Sequence, residues 1–264
     1  MMPLFYIPHG AGPCFFMDWT WGGAGTWAAL GYWLQKIADE LDSQPTSVLL
    51  ISAHWEADNF SVTGTTNPAL LFDYSGFPEH TYQLQYPAPG NPELAQSVHK
   101  LLQRNGISSR IDFDRGLDHG AFVPLKLIFP NANIPVVQLS LKRSLSAEEH
   151  LAVGQVLTPL RKQGVLIIGS GSSYHNLSLV PGKARVESES FDHWLSTTLT
   201  LADPAARNLR LQEWEKAPCA LAAHPRAEHL MPLMVVAGAA EGEPGWRTFS
   251  QVVLGARLSG YRFG

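Results

Sequence analysis

The sequence predicts an α/β fold: one domain, residues 1–264, with a mostly parallel central sheet flanked by helices and a metal site at the carboxyl edge of the strands. Three observations predict it. Short, near-continuous apolar runs at residues 4–7, 48–52, 136–141 and 165–168 read as strands covered on both faces. Helical patterns alternate with these runs, the order that builds a parallel sheet through crossover helices. Several histidines then fall just beyond the strand ends, and open α/β sheets bind ligands at that edge.

Each element has a local reason. Residues 27–41 carry apolar side chains at three-and-four spacing, with Thr26 as the expected N-cap. Residues 57–89 are rich in Pro, Gly, Asn, Thr and aromatics and have no helical period. They are expected to form long loops and short strands over one end of the sheet, shaping a pocket there. Residues 91–105 begin with an Asn cap and Pro92 at the first helical position, and Gly106 stops them. Residues 146–163 open with a capping box, Ser146 and Glu149, and end at Gly164. Later helices are expected over 189–202, 206–216 and 226–239.

Composition narrows the function classes. Hydrophobic residues at 45% and charged residues at 16% exclude disorder, fibres and coiled coils. A net charge of -4 gives no basic footprint, so no nucleic-acid partner is expected. No stretch reaches the roughly 20 apolar residues of a membrane span, and the N-terminus lacks the basic segment of a signal peptide. A soluble cytoplasmic protein with no membrane partner is the expectation. Cys14 and Cys219 form no C-x-x-C pair, so neither a disulfide scaffold nor a thiolate zinc site is predicted. Oligomeric state is not legible.

The histidines carry the chemistry. His9 follows the first strand in Pro8-His9-Gly10, His54 follows the second in Ser52-Ala53-His54-Trp55, and His175 lies past the fourth in Gly169-Ser170-Gly171-Ser172-Ser173-Tyr174-His175. Any one alone reads as a hydrogen-bonded loop residue. Together they share one sheet edge, and a few neutral imidazoles with an open position suit catalytic Zn(II) or non-heme Fe(II). His119 sits in a Gly-rich turn, and His224 and His229 flank Glu228 at the start of the expected 226–239 helix. His99, His150 and His193 fall within helices and read as packed or solvated. His80, in the 57–89 segment, is a candidate substrate contact, and Trp55 a candidate site border.

These strings, with Phe77-Pro78, Tyr86-Pro87-Ala88-Pro89-Gly90, Leu117-Asp118-His119-Gly120, Pro135-Val136-Val137-Gln138-Leu139-Ser140 and Glu228-His229-Leu230-Met231-Pro232-Leu233, run in order through nearly the whole chain. The sequence thereby resembles the class III extradiol ring-cleavage dioxygenases, the LigB superfamily, in the 4,5-DOPA dioxygenase branch. The resemblance implies one divalent metal, Fe(II) for activity and Zn(II) as a form met on isolation. It implies His9, His54 and His229 as metal ligands, with His175 as acid/base residue and sometimes a fourth ligand. His119 becomes a substrate-side catalytic histidine, His224 a supporting residue, and Glu228 either a rival ligand or a group orienting one. The implied reactants are a small-molecule catechol and O2, and the implied product is a muconic semialdehyde. Arg226 and Lys126 are the nearest candidates to hold a substrate carboxylate. A zinc-dependent hydrolase on the same histidines, or a non-catalytic metal-binding protein, are the alternatives.

Overall fold

A computed structural model of the chain describes residues 1–178 and 183–264. The first apolar run forms β1 (Leu4–Pro8), and residues 27–41 form α1 (Ala28–Lys36) followed by a 3-10 turn. Thr26 does not cap α1. The helix starts one residue later than expected, so the N-cap position falls on Trp27, which has no capping oxygen, and the Thr26 hydroxyl donates to the Gly23 carbonyl at 2.7 Å. Next come β2 (Ser47–Ala57), β3 (Phe60–Thr63), α2 (Pro92–Arg104) and β4 (Ser109–Asp112). Asn91 caps α2 by accepting from the Leu94 N–H at 2.9 Å, as its sequence position requires.

The chain continues through α3 (His119–Ile128), β5 (Val136–Lys142), α4 (Ala147–Leu157) and β6 (Val165–Gly171). Ser146 accepts from the Glu149 N–H, while the Glu149 carboxylate turns away to Lys142 and Ser144, so only half of the capping box closes. Then follow α5 (Lys183–Leu199), α6 (Pro204–Gln212), α7 (Ala220–Ala223) and α8 (Met231–Ala239). A C-terminal hairpin, β7 (Gly245–Val253) and β8 (Ala256–Phe263), closes the fold. The helix expected from residue 226 begins only at Met231, because residues 225–230 are held in turns.

The eight strands form one sheet in the order β4-β3-β5-β2-β6-β1-β8-β7. Its centre, β5-β2-β6-β1, is parallel throughout, and antiparallel pairs occur only toward the edges. These central strands are buried on both faces, which accounts for their unbroken apolar runs. A register shift in β2 between Ile51 and Glu56 breaks the even pleat and re-aims the residues between, His54 among them. Among the described residues, no helix is long and apolar enough to cross a membrane.

Candidate metal centre

Three distant segments bring His9, His54 and His229 together at the carboxyl edge of the central strands. One nitrogen from each lies within 4.8 Å of the others. His9 extends from the end of β1, His54 from the re-aimed part of β2, and His229 from the turn before α8. His9 Nε2 and His54 Nε2 approach to 3.0 Å. His9 and His229 are almost fully buried, whereas His54 and His175 are partly open.

The chain fixes the tautomer of His9 through a sequence of local causes. Pro124 lies inside α3 and has no N–H to offer the Gly120 carbonyl one turn back. The freed Gly120 carbonyl accepts the Ser170 hydroxyl instead. Ser170, its proton committed, accepts at 3.0 Å from His9 Nδ1. The Nδ1–H tautomer leaves the His9 Nε2 lone pair facing the cluster, the usual way a supporting residue orients a ligating imidazole.

Two carboxylates do the same elsewhere. Asp73 Oδ1 accepts from both the backbone N–H (2.9 Å) and Nδ1–H (2.8 Å) of His119, and Oδ2 lies 3.8 Å from His54 Nδ1. Glu228 Oε1 lies 3.0 Å from Nδ1 of both His175 and His229, whose rings stack with centroids 3.4 Å apart. Glu228 therefore braces two imidazoles and does not point into the His9–His54–His229 cluster. Burial would raise both acids, but the imidazole hydrogen bonds outweigh it and hold Asp73 and Glu228 below the usual carboxylate range.

Burial also holds the imidazoles neutral. His9 is pushed well below its ordinary value by burial and then by the neighbouring His54 and His229. His54 falls to about 2 and His229 to about 4, burial being the largest cause in each. Neutral rings with inward Nε2 lone pairs are the donor set a divalent cation needs. The residues present thus fit one divalent metal.

Glycine permits the close packing. A Cβ on Gly171 would sit 2.0 Å from the His229 carbonyl oxygen. That carbonyl also accepts from the Tyr6 hydroxyl at 2.7 Å and the Ser172 N–H at 3.1 Å. Behind His54, the buried Asp118 accepts from Ser52 at 2.7 Å and Arg115 at 3.2 Å, and Arg115 also donates to the His54 carbonyl.

A cavity of about 260 Å³ opens in front of the cluster, near the small end of ligand pockets (roughly 300–1,000 Å³). His54, His119, His175 and His229 line it, with His9 beneath them. The rest of the wall is the loop after β1, the 172–177 loop and the β7–β8 turn. The 57–89 segment forms loops and a short strand as expected, yet no residue of it lines this cavity. It contributes Asp73 from behind.

Other expectations are corrected. His119 is the first residue of α3, not part of a free turn. His80 bonds the Phe16 carbonyl, and Trp55 packs under Arg115, so neither lines the cavity. Arg226 is taken up by Glu56, and Lys126 donates to the Gln85 carbonyl at 2.9 Å, so neither reaches the cavity. His224 is buried against Phe191 and Trp214 and bonds the Ser173 carbonyl, bracing the loop that carries His175. Asp73 and Ser170 carry no histidine-like signal in the sequence. A lone carboxylate set among Leu71, Phe72 and Tyr74 was the available signal for the first.

A doubly covered, mostly parallel sheet with a histidine cluster at its carboxyl edge that could hold a metal has the architecture of a metal-dependent α/β enzyme. The chain belongs to the LigB family: residues 4–264 match the family described as the catalytic LigB subunit of aromatic ring-opening dioxygenase. It is thereby an extradiol ring-cleavage dioxygenase by class. It is 42% identical over 241 residues to the 4,5-DOPA dioxygenase extradiol of Beta vulgaris, covering 89% of this chain and 86% of the relative. It is 31% identical over 247 residues to the 4,5-DOPA dioxygenase extradiol of Escherichia coli (strain K12), covering 92% and 86% respectively. A crystal structure of an uncharacterized protein from Escherichia coli K12 superimposes with a TM-score of 0.79 at 28% identity, covering 100% of both chains.

Proposed function

We propose that this chain opens the aromatic ring of a catechol with O2, using Fe(II) held by His9, His54 and His229. Both oxygen atoms enter the product, a muconic semialdehyde, so the reaction needs no further reductant. The observation that carries the reading is the 3.0 Å approach of His9 Nε2 and His54 Nε2, with the His9 proton committed to Ser170 on the far side. Two ring nitrogens so placed ask for a shared cation. Fe(II) bound there would supply the redox coupling between an electron-rich diphenol and O2. Zn(II) fits the same donors but has no redox chemistry to offer.

The chain's own residues handle orientation and protons. His175 and His119 both line the cavity, and each gives its Nδ1–H to a carboxylate, Glu228 and Asp73 respectively. That leaves Nε2 of each free to face a bound diphenol. His175 is the base that takes a phenolic proton at Nε2 and later returns it. His119 donates or accepts at the substrate oxygens from the opposite element. The buried floor and apolar walls exclude water while the ring is held. The unpaired Cys14 and Cys219 fit a reducing cytoplasmic location.

The test is metal content and turnover in two variants. His54→Ala loses both metal and turnover. His175→Ala retains stoichiometric Fe(II) but loses at least a hundredfold in kcat, within the usual range for general acid–base catalysis. Equal metal loss in both would make His175 a ligand and refute the division of roles.

A further inference from the structure

The cavity wall identifies the kind of catechol. Away from the histidines its apolar part is built from Trp21, Trp27, Leu177, Val253, Leu254 and Leu258, contributed by the loop after β1, the 172–177 loop and the β7–β8 turn. Its polar members Ser172 and Asn176 are already engaged, by the Tyr174 carbonyl and by the Ala222 carbonyl and Ser178 respectively. The loop after β1 and the β7–β8 turn touch: a Cβ on Gly22 would lie 2.5 Å from Leu254 Cδ2. Trp21 and Leu177 expose 61% and 79% of their surface at the mouth, so the apolar lining continues outward to solvent. Large exposed apolar side chains converging on one opening mark a surface that an apolar group covers.

Charge around the site points the same way. The ionised groups that back the imidazoles are the carboxylates Asp73 and Glu228. The nearby cations are engaged by acids: Arg226 by Glu56 and Glu228, Arg257 by Glu189, and Arg115 by Asp118. Among the described residues, no Lys or Arg lines the cavity. A substrate carboxylate placed against Val253, Leu254 and Leu258 would lose hydration without gaining a partner.

We infer that this enzyme takes catechols bearing an uncharged, apolar ring substituent, alkyl or aryl, in preference to amino-acid or carboxylate-bearing catechols. The inference rests on the dioxygenase reading for its reaction but on the cavity wall for its selectivity. Leu254 marks the substituent end. It already has a positive φ of 52°, so a replacement there changes the side chain without adding a new backbone demand.

The experiment compares catechol, 4-methylcatechol, 4-propylcatechol, dihydrocaffeate and L-DOPA on the Fe(II)-loaded enzyme. O2 uptake gives kcat/KM, and calorimetry under strict anaerobiosis gives Kd without turnover. Each added methylene should improve Kd by roughly fourfold. Dihydrocaffeate and L-DOPA should bind at least tenfold more weakly than 4-propylcatechol. Leu254→Arg should reverse the order of dihydrocaffeate and 4-propylcatechol. Equal or tighter binding of L-DOPA or dihydrocaffeate by the unaltered enzyme would overturn the inference. Retained alkyl preference in calorimetry, with no O2 uptake on any catechol, would support the cavity reading while refuting the dioxygenase one.

Discussion

Replacing Ser170 by alanine tests the chain of causes that runs from Pro124 to His9, the proposed metal ligand. The hydroxyl is fully buried, donates to the Gly120 carbonyl and accepts from His9 Nδ1 at 3.0 Å. Its removal strands two groups, and Pro124 has no N–H with which to satisfy the carbonyl. Each orphaned group costs about 1–3 kcal/mol, so the metal-free protein should lose about 2–6 kcal/mol of stability. His9, no longer held in one tautomer and orientation, should bind metal about 10–100-fold more weakly, the usual effect of losing such a support. Chelator competition with Zn(II) measures the affinity, and urea unfolding of the metal-free protein measures the stability. A metal affinity within twofold of the unaltered protein would refute the argument, because His9 would then either need no support or hold no metal.

Two further outcomes follow from particular contacts. Gly171→Ala places a Cβ where the His229 carbonyl oxygen lies 2.0 Å away, so β6 and the His229 turn must part. The variant should lose several kcal/mol of stability and most of its metal affinity, while a variant of normal melting temperature and metal content would contradict this packing. His150 is buried with Nδ1 against the Ser146 carbonyl at 2.7 Å, and its Nε2 accepts from the Lys142 N–H. Burial lowers it to about 4. The depressed value means that its contribution is complete above the unfolded value of about 6.5 and is lost as pH falls toward 4. Between pH 7 and pH 4.5 the loss should be about 2 kcal/mol, and His150→Gln should remove that part of the pH dependence in urea unfolding. Identical pH profiles for the two proteins would sink the assignment.

What the sequence discloses follows from how each feature is encoded. The strands β1, β5 and β6 are legible because burial on both faces leaves an unbroken apolar run. The β7–β8 hairpin is not, because the register shift between Arg247 and Phe249 destroys the two-residue alternation that would reveal it. Helix α3 hides behind Gly120 and Pro124, residues that normally interrupt helices. His9, His54 and His175 stand out since each lies just past a recognisable apolar run, although His54 falls within the longer β2. Their supports do not: Ser170 lies 161 residues from His9, and Asp73 lies 46 residues from His119. The cavity wall eludes the sequence for the same reason. It is assembled from the loop after β1 and a C-terminal turn that only the closed sheet brings together.

The proposed function requires that these histidines hold a redox metal at which a catechol ring is opened. The most direct measurement strips the protein of metal, reloads it anaerobically with one equivalent of Fe(II) or Zn(II), and admits ¹⁸O2 with a panel of catechols. The Fe(II) form should consume O2 and yield a yellow ring-opened product labelled in its new carboxylate, and in its aldehyde as well when that is trapped before exchange with water, while the Zn(II) form stays silent. Stoichiometrically bound Fe(II) with no O2 uptake on any catechol, or a ring-opened product carrying no label from O2, would contradict it.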